Sequence, residues 1–166
     1  GVIAVGALLV LGSLAYGGTA GLSEAGLPTR ADPIPLGETY EVEGLAVVIH
    51  KVDTTTYTED GDYYSLDSFR VFAEGTLTCT QPEGEICTLE EVEAVLVLTD
   101  TRINLRAKTL EAGLTLQSGA STTFRLYTTR WLSKGEKHLP GSVIKLQVQQ
   151  AGAGAGHTMW FDTGYE

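Results

Sequence analysis

The sequence predicts a mainly β protein with one N-terminal hydrophobic helix, the β part being an antiparallel sandwich of immunoglobulin-like plan. Two observations carry this prediction. Residues 1–23 contain no charged side chain, and from Glu38 onward short apolar segments with a period of two alternate with turn signals. The 166 residues fit one domain with an appendage. We therefore expect an assembly helix at 1–22, a Pro/Gly linker at 23–37 and a β-sandwich domain at 38–166.

The charge balance excludes one class of partner. The chain has 11 Lys and Arg against 21 Asp and Glu, so its formal net charge is 11 − 21 = −10. No run of basic residues interrupts this acidity, and an acidic surface repels phosphate backbones. Nucleic acid is therefore not an expected partner. With 43% hydrophobic residues the chain is also too apolar to be disordered.

The N-terminal element is long enough to span a membrane as a helix. About 20 residues at about 1.5 Å per residue cover roughly 30 Å, the thickness of the hydrocarbon core of a bilayer. Its leucine and alanine content favours a helix, and the small Gly6 and Gly12 let packed helices approach closely. Its six glycines each lower helix propensity by roughly 1 kcal/mol relative to alanine. An extended strand donated to the sheet of a neighbouring subunit is therefore the alternative conformation.

The first ten residues also carry a family resemblance. Gly1–Val10, read GVIAVGALLV, resembles the start of the assembly helix of archaellins and archaeal pilins in the type IV pilin superfamily. A chain that starts here without Met or basic residues is expected if a short leader has been removed in front of the hydrophobic segment. A conventional signal peptide or a plain membrane anchor is the alternative. Bacterial pilins usually carry glutamate at the fifth mature position, so Val5 shifts the likeness towards archaeal members.

The resemblance implies a helical homopolymer of this chain, inserted in the membrane before assembly. The residues that it implies for the contacts between subunits are the apolar ones near the N-terminus: Val2, Ile3, Val5, Leu8, Leu9, Val10, Leu11 and Leu14.

The linker and the strands follow in order. Proline and glycine interrupt helix and strand patterns throughout residues 23–37. The apolar patterns then predict strands at Tyr40–Val52, Ser68–Thr80, Val92–Thr99, Ile103–Leu110, Thr122–Trp131 and Ser142–Gln150, with a short last strand at His157–Phe161. The AGAGAG run at 151–156 is interpreted as a flexible turn, with a close-packing surface as the alternative.

Two cysteines are the first candidate site. Cys79 and Cys87 enclose TQPEGEI, a sequence suited to a turn, so the pair is positioned to close a disulfide at the neck of a hairpin. Two cysteines without a nearby histidine are too few for a structural zinc site. The disulfide fits an exported protein, and two buried free thiols are the alternative.

An acidic cluster is the second candidate site. Glu59, Asp60, Asp62 and Asp67 lie close together in TEDGDYYSLD but lack the DxDxDG order of a known calcium loop. We interpret the cluster as a solvated acidic turn, with a calcium site at Asp60, Asp62 and Asp67 as the alternative.

Catalytic motifs are missing from the sequence. There is no HExxH, GxSxG or GxxxxGK[ST] pattern, and the three histidines are widely scattered. We therefore assign no catalytic residue, cofactor or metal ligand, and we do not expect an enzyme.

The expected function is that of a structural subunit of an extracellular, pilus-like filament at the cell surface. The hydrophobic N-terminal segment would pack in the filament and the β-domain would face outward, so the chain is its own expected partner. One alternative is a fibre subunit assembled by donor-strand complementation. Another is a membrane-anchored extracellular binding module. The sequence does not discriminate among adhesion, motility, DNA uptake and cell contact as roles of a filament.

Overall fold

The computed structural model of this protein describes residues 28–55, 68–99, 101–133, 139–152 and 156–165. In these ranges the chain forms ten β-strands and no helix, and so no helix long and apolar enough to cross a membrane. The strands are β1 (Thr39–Val42), β2 (Leu45–Thr55), β3 (Ser68–Cys79), β4 (Ile86–Val97), β5 (Arg102–Lys108), β6 (Thr115–Gln117), β7 (Ser121–Thr128), β8 (Leu132–Ser133), β9 (Val143–Gln150) and β10 (His157–Asp162).

The strands form one continuous antiparallel sheet. Its order is β1-β2-β3-β7-β5-β4-β9-β10, with β6 beside β4 and β8 beside β3. In β3 every second residue is buried, which is the pattern of a strand with one face on the core. The largest fully buried side chains come from strands throughout the sheet and from the segments beside them: Ile34, Leu45, Ile49, Leu77, Leu89, Leu96, Leu110, Leu126, Leu132, Ile144, Leu146 and Phe161.

The segment around Ile34 connects the two ends of the sheet. The Ile34 N–H donates to the Trp160 carbonyl over 2.8 Å, and the Asp162 N–H donates to the Ile34 carbonyl over 2.8 Å, so Ile34 pairs with β10. Three residues later the Gly37 N–H donates to the Ile49 carbonyl of β2 over 2.8 Å. The Ile34 side chain is fully buried. The sheet is therefore nearly closed on itself.

The expected fold class is wrong. The sequence predicted an immunoglobulin-like sandwich behind an N-terminal helix, whereas the described residues form a single, nearly closed antiparallel sheet without a helix. The predicted helix at 1–22 lies outside the described residues. The physical reason for the error in the sheet is that alternation shows which side chains are buried, but not which strands are neighbours. Here β7 lies between β3 and β5, and this joins the strands into one sheet.

Two local features also differ from the expected elements. The segment predicted as one strand at Tyr40–Val52 is a hairpin, because Glu43 and Gly44 form a two-residue turn with φ values of 44° and 86°. Two positive φ values are typical of the turn that matches the twist of a β-hairpin. In addition, Ile34 belongs to the core although it lies within the predicted linker at 23–37.

Candidate functional site

One outer surface of the sheet concentrates basic side chains on this acidic protein. Strands β2, β3, β7 and β5 are neighbours, and their outward positions carry six cations and two carboxylates, a local balance of 6 − 2 = +4. We call this surface the cationic face; its charged residues are Lys51, Arg70, Arg102, Arg106, Lys108, Arg125, Asp53 and Glu74. The local excess of positive charge contrasts with the net charge of −10 for the whole chain.

The strand register aligns four of these charges in a row across the sheet. Lys51 lies opposite Glu74, Glu74 lies opposite Arg125, and Arg125 lies opposite Lys108. Arg125 Nη2 donates to Glu74 Oε2 over 2.5 Å. Because exposed ion pairs contribute only about 0–1 kcal/mol to stability, this pair mainly orients the Arg125 guanidinium.

Aromatic rings hold the cations of this face in place. Lys51 Nζ and the Arg125 guanidinium lie 5.7 and 5.3 Å from the centroid of the Phe72 ring. The Arg70 guanidinium lies 5.8 Å from the Tyr127 ring and 5.1 Å from the Trp131 ring. Each contact lies within the range of a cation–π interaction. Three cations of the face, Lys51, Arg70 and Arg125, therefore already have aromatic partners within it.

Two buried polar atoms at this side of the sheet lack a hydrogen-bond partner among the described residues: Arg70 Nε and the Tyr165 hydroxyl. Burial raises the pKa of Tyr165 above its ordinary value of about 10, and the nearby Asp53 carboxylate raises it further. Tyr165 is therefore a neutral hydroxyl group at physiological pH.

A hollow of about 470 Å³ opens on the cationic face. His50, Glu74, Lys108 and Arg125 are among its lining residues, and His50 Nε2 lies 2.8 Å from Thr76 Oγ1. Glu74 pairs with Arg125, so the lining has two cations and one carboxylate. This excess of one positive charge suits an anionic partner that accepts hydrogen bonds, such as a carboxylate.

Thr109, at the rim of this hollow, has a φ of 77°. This conformation is unusual for a β-branched residue and costs about 1–3 kcal/mol, a kind of strain that often occurs at functional positions.

A second groove, of about 720 Å³, is acidic. We call it the glutamate groove, because its lining among the described residues includes Glu90, Glu91, Glu93 and Glu111 and no Lys or Arg. Three of these glutamates belong to β4, where a β-bulge between Leu89 and Glu91 shifts the register against β9. The cationic face and the glutamate groove therefore carry opposite charges.

The predicted cysteine pair forms a disulfide in the structure. Cys79 ends β3 and Cys87 lies near the start of β4, with a Cα–Cα distance of 5.8 Å. Both side chains are buried, and β3 and β4 are not neighbours in the sheet. The bond therefore links two separate parts of the sheet.

We predict that replacing Cys79 and Cys87 together by alanine lowers the free energy of unfolding by about 2–3 kcal/mol. This is the stabilisation expected for a cross-link that closes a loop of this length. Urea denaturation of the variant and of oxidised and reduced wild type measures the effect. Mass spectrometry after alkylation in denaturant provides the control, and two freely alkylated thiols in unreduced protein would contradict the prediction.

The remaining predicted site residues stay predictions. The assembly residues from Val2 to Leu14 and the calcium candidates Asp60, Asp62 and Asp67 lie outside the described residues. His157 Nε2 lies 2.9 Å from Glu43 Oε2, and neither residue belongs to the predicted acidic cluster. In the part of the chain that the structure describes, no three His, Cys, Asp or Glu residues are grouped as metal ligands would be.

The cationic face and the glutamate groove were not predicted from the sequence. One signal for the cationic face was available, since Arg106 and Lys108 occupy the outward phase of the strand predicted at Ile103–Leu110. The glutamate groove also had a signal, the EEVE sequence at 90–93. Which strands lie beside these residues could not be derived from either pattern.

Comparisons with known proteins found no matching family model and no similar curated sequence. Solved structures share parts of the fold. The yjhA protein from Bacillus subtilis is 18% identical with a TM-score of 0.49, over 77% of this chain and 99% of that one. The ycdA protein of B. subtilis, described as a candidate lipoprotein, is 14% identical with a TM-score of 0.47, over 75% of this chain but only 38% of its own. An uncharacterized β-sandwich protein from Clostridium difficile is 9% identical with a TM-score of 0.42, over 75% and 90% of the two chains.

Proposed function

We propose that this chain is a non-enzymatic structural subunit of an extracellular filament at the cell surface. It assembles through its uncharged N-terminal segment, residues 1–23, and displays its β-domain outward. The observation that carries this proposal is that the chain consists of a β-domain with its own core and a separate uncharged segment. The core of the described residues runs from Ile34 to Phe161, within a nearly closed sheet, whereas the uncharged segment precedes that core.

The surface of the β-domain supports this division. Among the described residues the exposed large apolar side chains are Leu36, which is 39% exposed, and Ile86, which is 57% exposed. Two separate side chains do not form an apolar docking surface. Burial of apolar surface contributes roughly 25 cal/mol per Å², and residues 1–23 are the part of the chain rich enough in apolar groups to gain from it.

The sheet favours this mode of assembly over strand donation. Donor-strand complementation needs a vacant position in the sheet of the receiving subunit. Here the segment from Ile34 to Gly37 makes backbone hydrogen bonds to both β10 and β2. Because this segment belongs to the same chain, the described sheet has its own connection at the place where a donated strand would enter.

The disulfide supports an extracellular location, because disulfides persist in oxidising compartments. A stretch of about 20 apolar residues is stable in a membrane before assembly. Transfer of the segment from lipid into a filament of identical segments would keep its apolar surface out of water.

We predict that removing residues 1–25 gives a folded, monomeric and soluble β-protein. The physical reason is that the described core residues lie between Ile34 and Phe161, so we expect the truncated chain to lose assembly contacts and keep its fold. Far-ultraviolet circular dichroism and sedimentation measure folding and mass, with the full chain as the control. The full chain should form filaments when detergent is removed. An aggregated or unfolded truncation product would contradict the proposal, and a full chain that stays monomeric in vesicles would favour the membrane-anchored binding module.

A further inference from the structure

We propose that the cationic face of one subunit docks on the glutamate groove of the next copy of this chain. The inference rests on the proposed function, because assembly through residues 1–23 brings the β-domains of neighbouring subunits together. It adds a second contact, between β-domains, with a defined direction.

The two surfaces are complementary in charge. The cationic face has a balance of +4, whereas the described residues that line the glutamate groove include four glutamates and no basic residue. A net charge of −10 would make two β-domains repel each other in most orientations. Pairing these two surfaces is the orientation that replaces repulsion by attraction.

The two surfaces also lie on different strands of the same sheet. The cationic face extends from β2 through β3 and β7 to β5, and the glutamate groove begins beyond β5 on β4 and β9. The two surfaces are therefore different parts of the outside of a curved sheet. A contact between two different surfaces is heterologous, and such a contact builds an open filament when the rotation between subunits does not close into a ring.

Two cations of this face are in contact with aromatic rings before docking. Arg70 and Arg125 are already held against aromatic rings, so little side-chain freedom remains to be lost on docking. A carboxylate is the acceptor that a guanidinium prefers. The glutamate groove presents four carboxylates, and its concave shape suits long Lys and Arg side chains.

A second copy fits these observations better than an external polyanion. A long polyanion would be repelled by the rest of this acidic chain. A neighbouring subunit is repelled too, but assembly through the N-terminal segment fixes it at a high effective concentration. Individually weak ion pairs then act together along the filament.

Carbodiimide cross-linking of the full chain tests the contact, because this reagent joins a lysine amine to a carboxylate in direct contact. Equal amounts of ¹⁴N- and ¹⁵N-labelled protein are mixed before assembly, and mixed-isotope peptides identify links between copies. We expect links from Lys51 or Lys108 to Glu90, Glu91 or Glu93. Glu91→Lys with Glu93→Lys should reduce these links about tenfold.

Two further variants make the test specific. Glu83→Lys with Glu85→Lys changes the charge equally at two exposed glutamates outside the groove, and it should leave the links unchanged. Adding Lys108→Glu and Arg125→Glu to the Glu91→Lys, Glu93→Lys variant exchanges the charges of the two surfaces. New links between residue 108 and residues 91 or 93 should then appear in the mixed-isotope peptides.

The outcomes separate this contact from the proposed function. Filaments without links between the two surfaces would overturn the contact and leave the filament subunit intact. Links between copies in samples without filaments would support the contact and overturn the filament. Neither filaments nor links would overturn both. Links that persist at full yield in the Glu91→Lys, Glu93→Lys variant would also contradict the docking surface.

Discussion

Substituting Leu9 by aspartate is expected to abolish filament formation by the full chain while its β-domain stays folded. Leu9 lies in the middle of the uncharged segment 1–23, which on this account is buried against other copies in the assembled state. An unpaired carboxylate in an apolar environment costs several kcal/mol, and the cost recurs in every subunit. Electron microscopy of negatively stained assemblies measures the loss of filaments. Circular dichroism of the same sample should show an unchanged β-domain, because the described core begins at Ile34.

Two controls separate this effect from a general effect of the substitution. Leu9→Val keeps the position apolar and should assemble normally. Leu36→Asp introduces the same charge at a leucine of the β-domain that is 39% exposed, and it should also assemble. Filaments of normal number and length from the Leu9→Asp variant would contradict the role of the N-terminal segment.

The largest expected effect on folding comes from Gly75, at the centre of β3. A Cβ at this position would lie 2.4 Å from the Val48 carbonyl oxygen and 2.5 Å from the tip of the Phe124 ring. Phe124 is buried and the carbonyl belongs to the β2 backbone beside a β-bulge, so neither can withdraw freely. Gly75→Ala should therefore lower the free energy of unfolding by about 3 kcal/mol, the upper end of the usual range for overpacking. Thermal and urea denaturation of the full chain in detergent, or of the truncated chain if it folds, measure this value.

Gly156→Ala is the matched control for Gly75. Its added Cβ would have the Val148 carbonyl oxygen as its nearest atom, at 3.4 Å, which is an ordinary contact. We expect a change below about 0.5 kcal/mol for this variant, as for most surface substitutions. A double variant of Gly75→Ala with Phe124→Leu should recover part of the loss relative to the sum of the single variants, because the shorter side chain leaves space for the methyl group. Equal stability of the Gly75→Ala and Gly156→Ala variants would contradict this account of the packing.

Strand positions were more accessible from the sequence than strand neighbours. β3 and β9 lie where alternation predicted strands at Ser68–Thr80 and Ser142–Gln150. Alternation reports the environment of each side chain, which is a local property. The order β3-β7-β5-β4 depends on pairings between distant segments, and several orders bury the same side chains equally well.

The residues of one turn explain another difference between the predicted and the observed strands. Glu43-Gly44 closes the β1–β2 hairpin with two positive φ values, a conformation that Asn-Gly or Asp-Gly signals more clearly. The pairing of Ile34 with β10 had no signal at all, because a single residue between two prolines has no periodicity.

For the two charged surfaces, too, the sequence shows which side chains point outward but not which strands are neighbours. The phase of the charged residues on each strand was visible, so their outward position could be inferred. The sequence could not show that these residues lie close together. Lys51, Arg125 and Lys108 come from β2, β7 and β5, and only the folded sheet brings these strands into one surface. The acidic average of the chain also concealed the local excess of cations on four strands.

The most direct test of the central claim is a cryo-electron microscopy map of the full chain after detergent removal. We predict filaments in which residues 1–22 of neighbouring copies contact one another in the interior and the β-domains form the outer surface. A sample in which each chain remains a separate molecule anchored in lipid, or a filament held together by β-domains alone with residues 1–22 outside its interior, would contradict the claim.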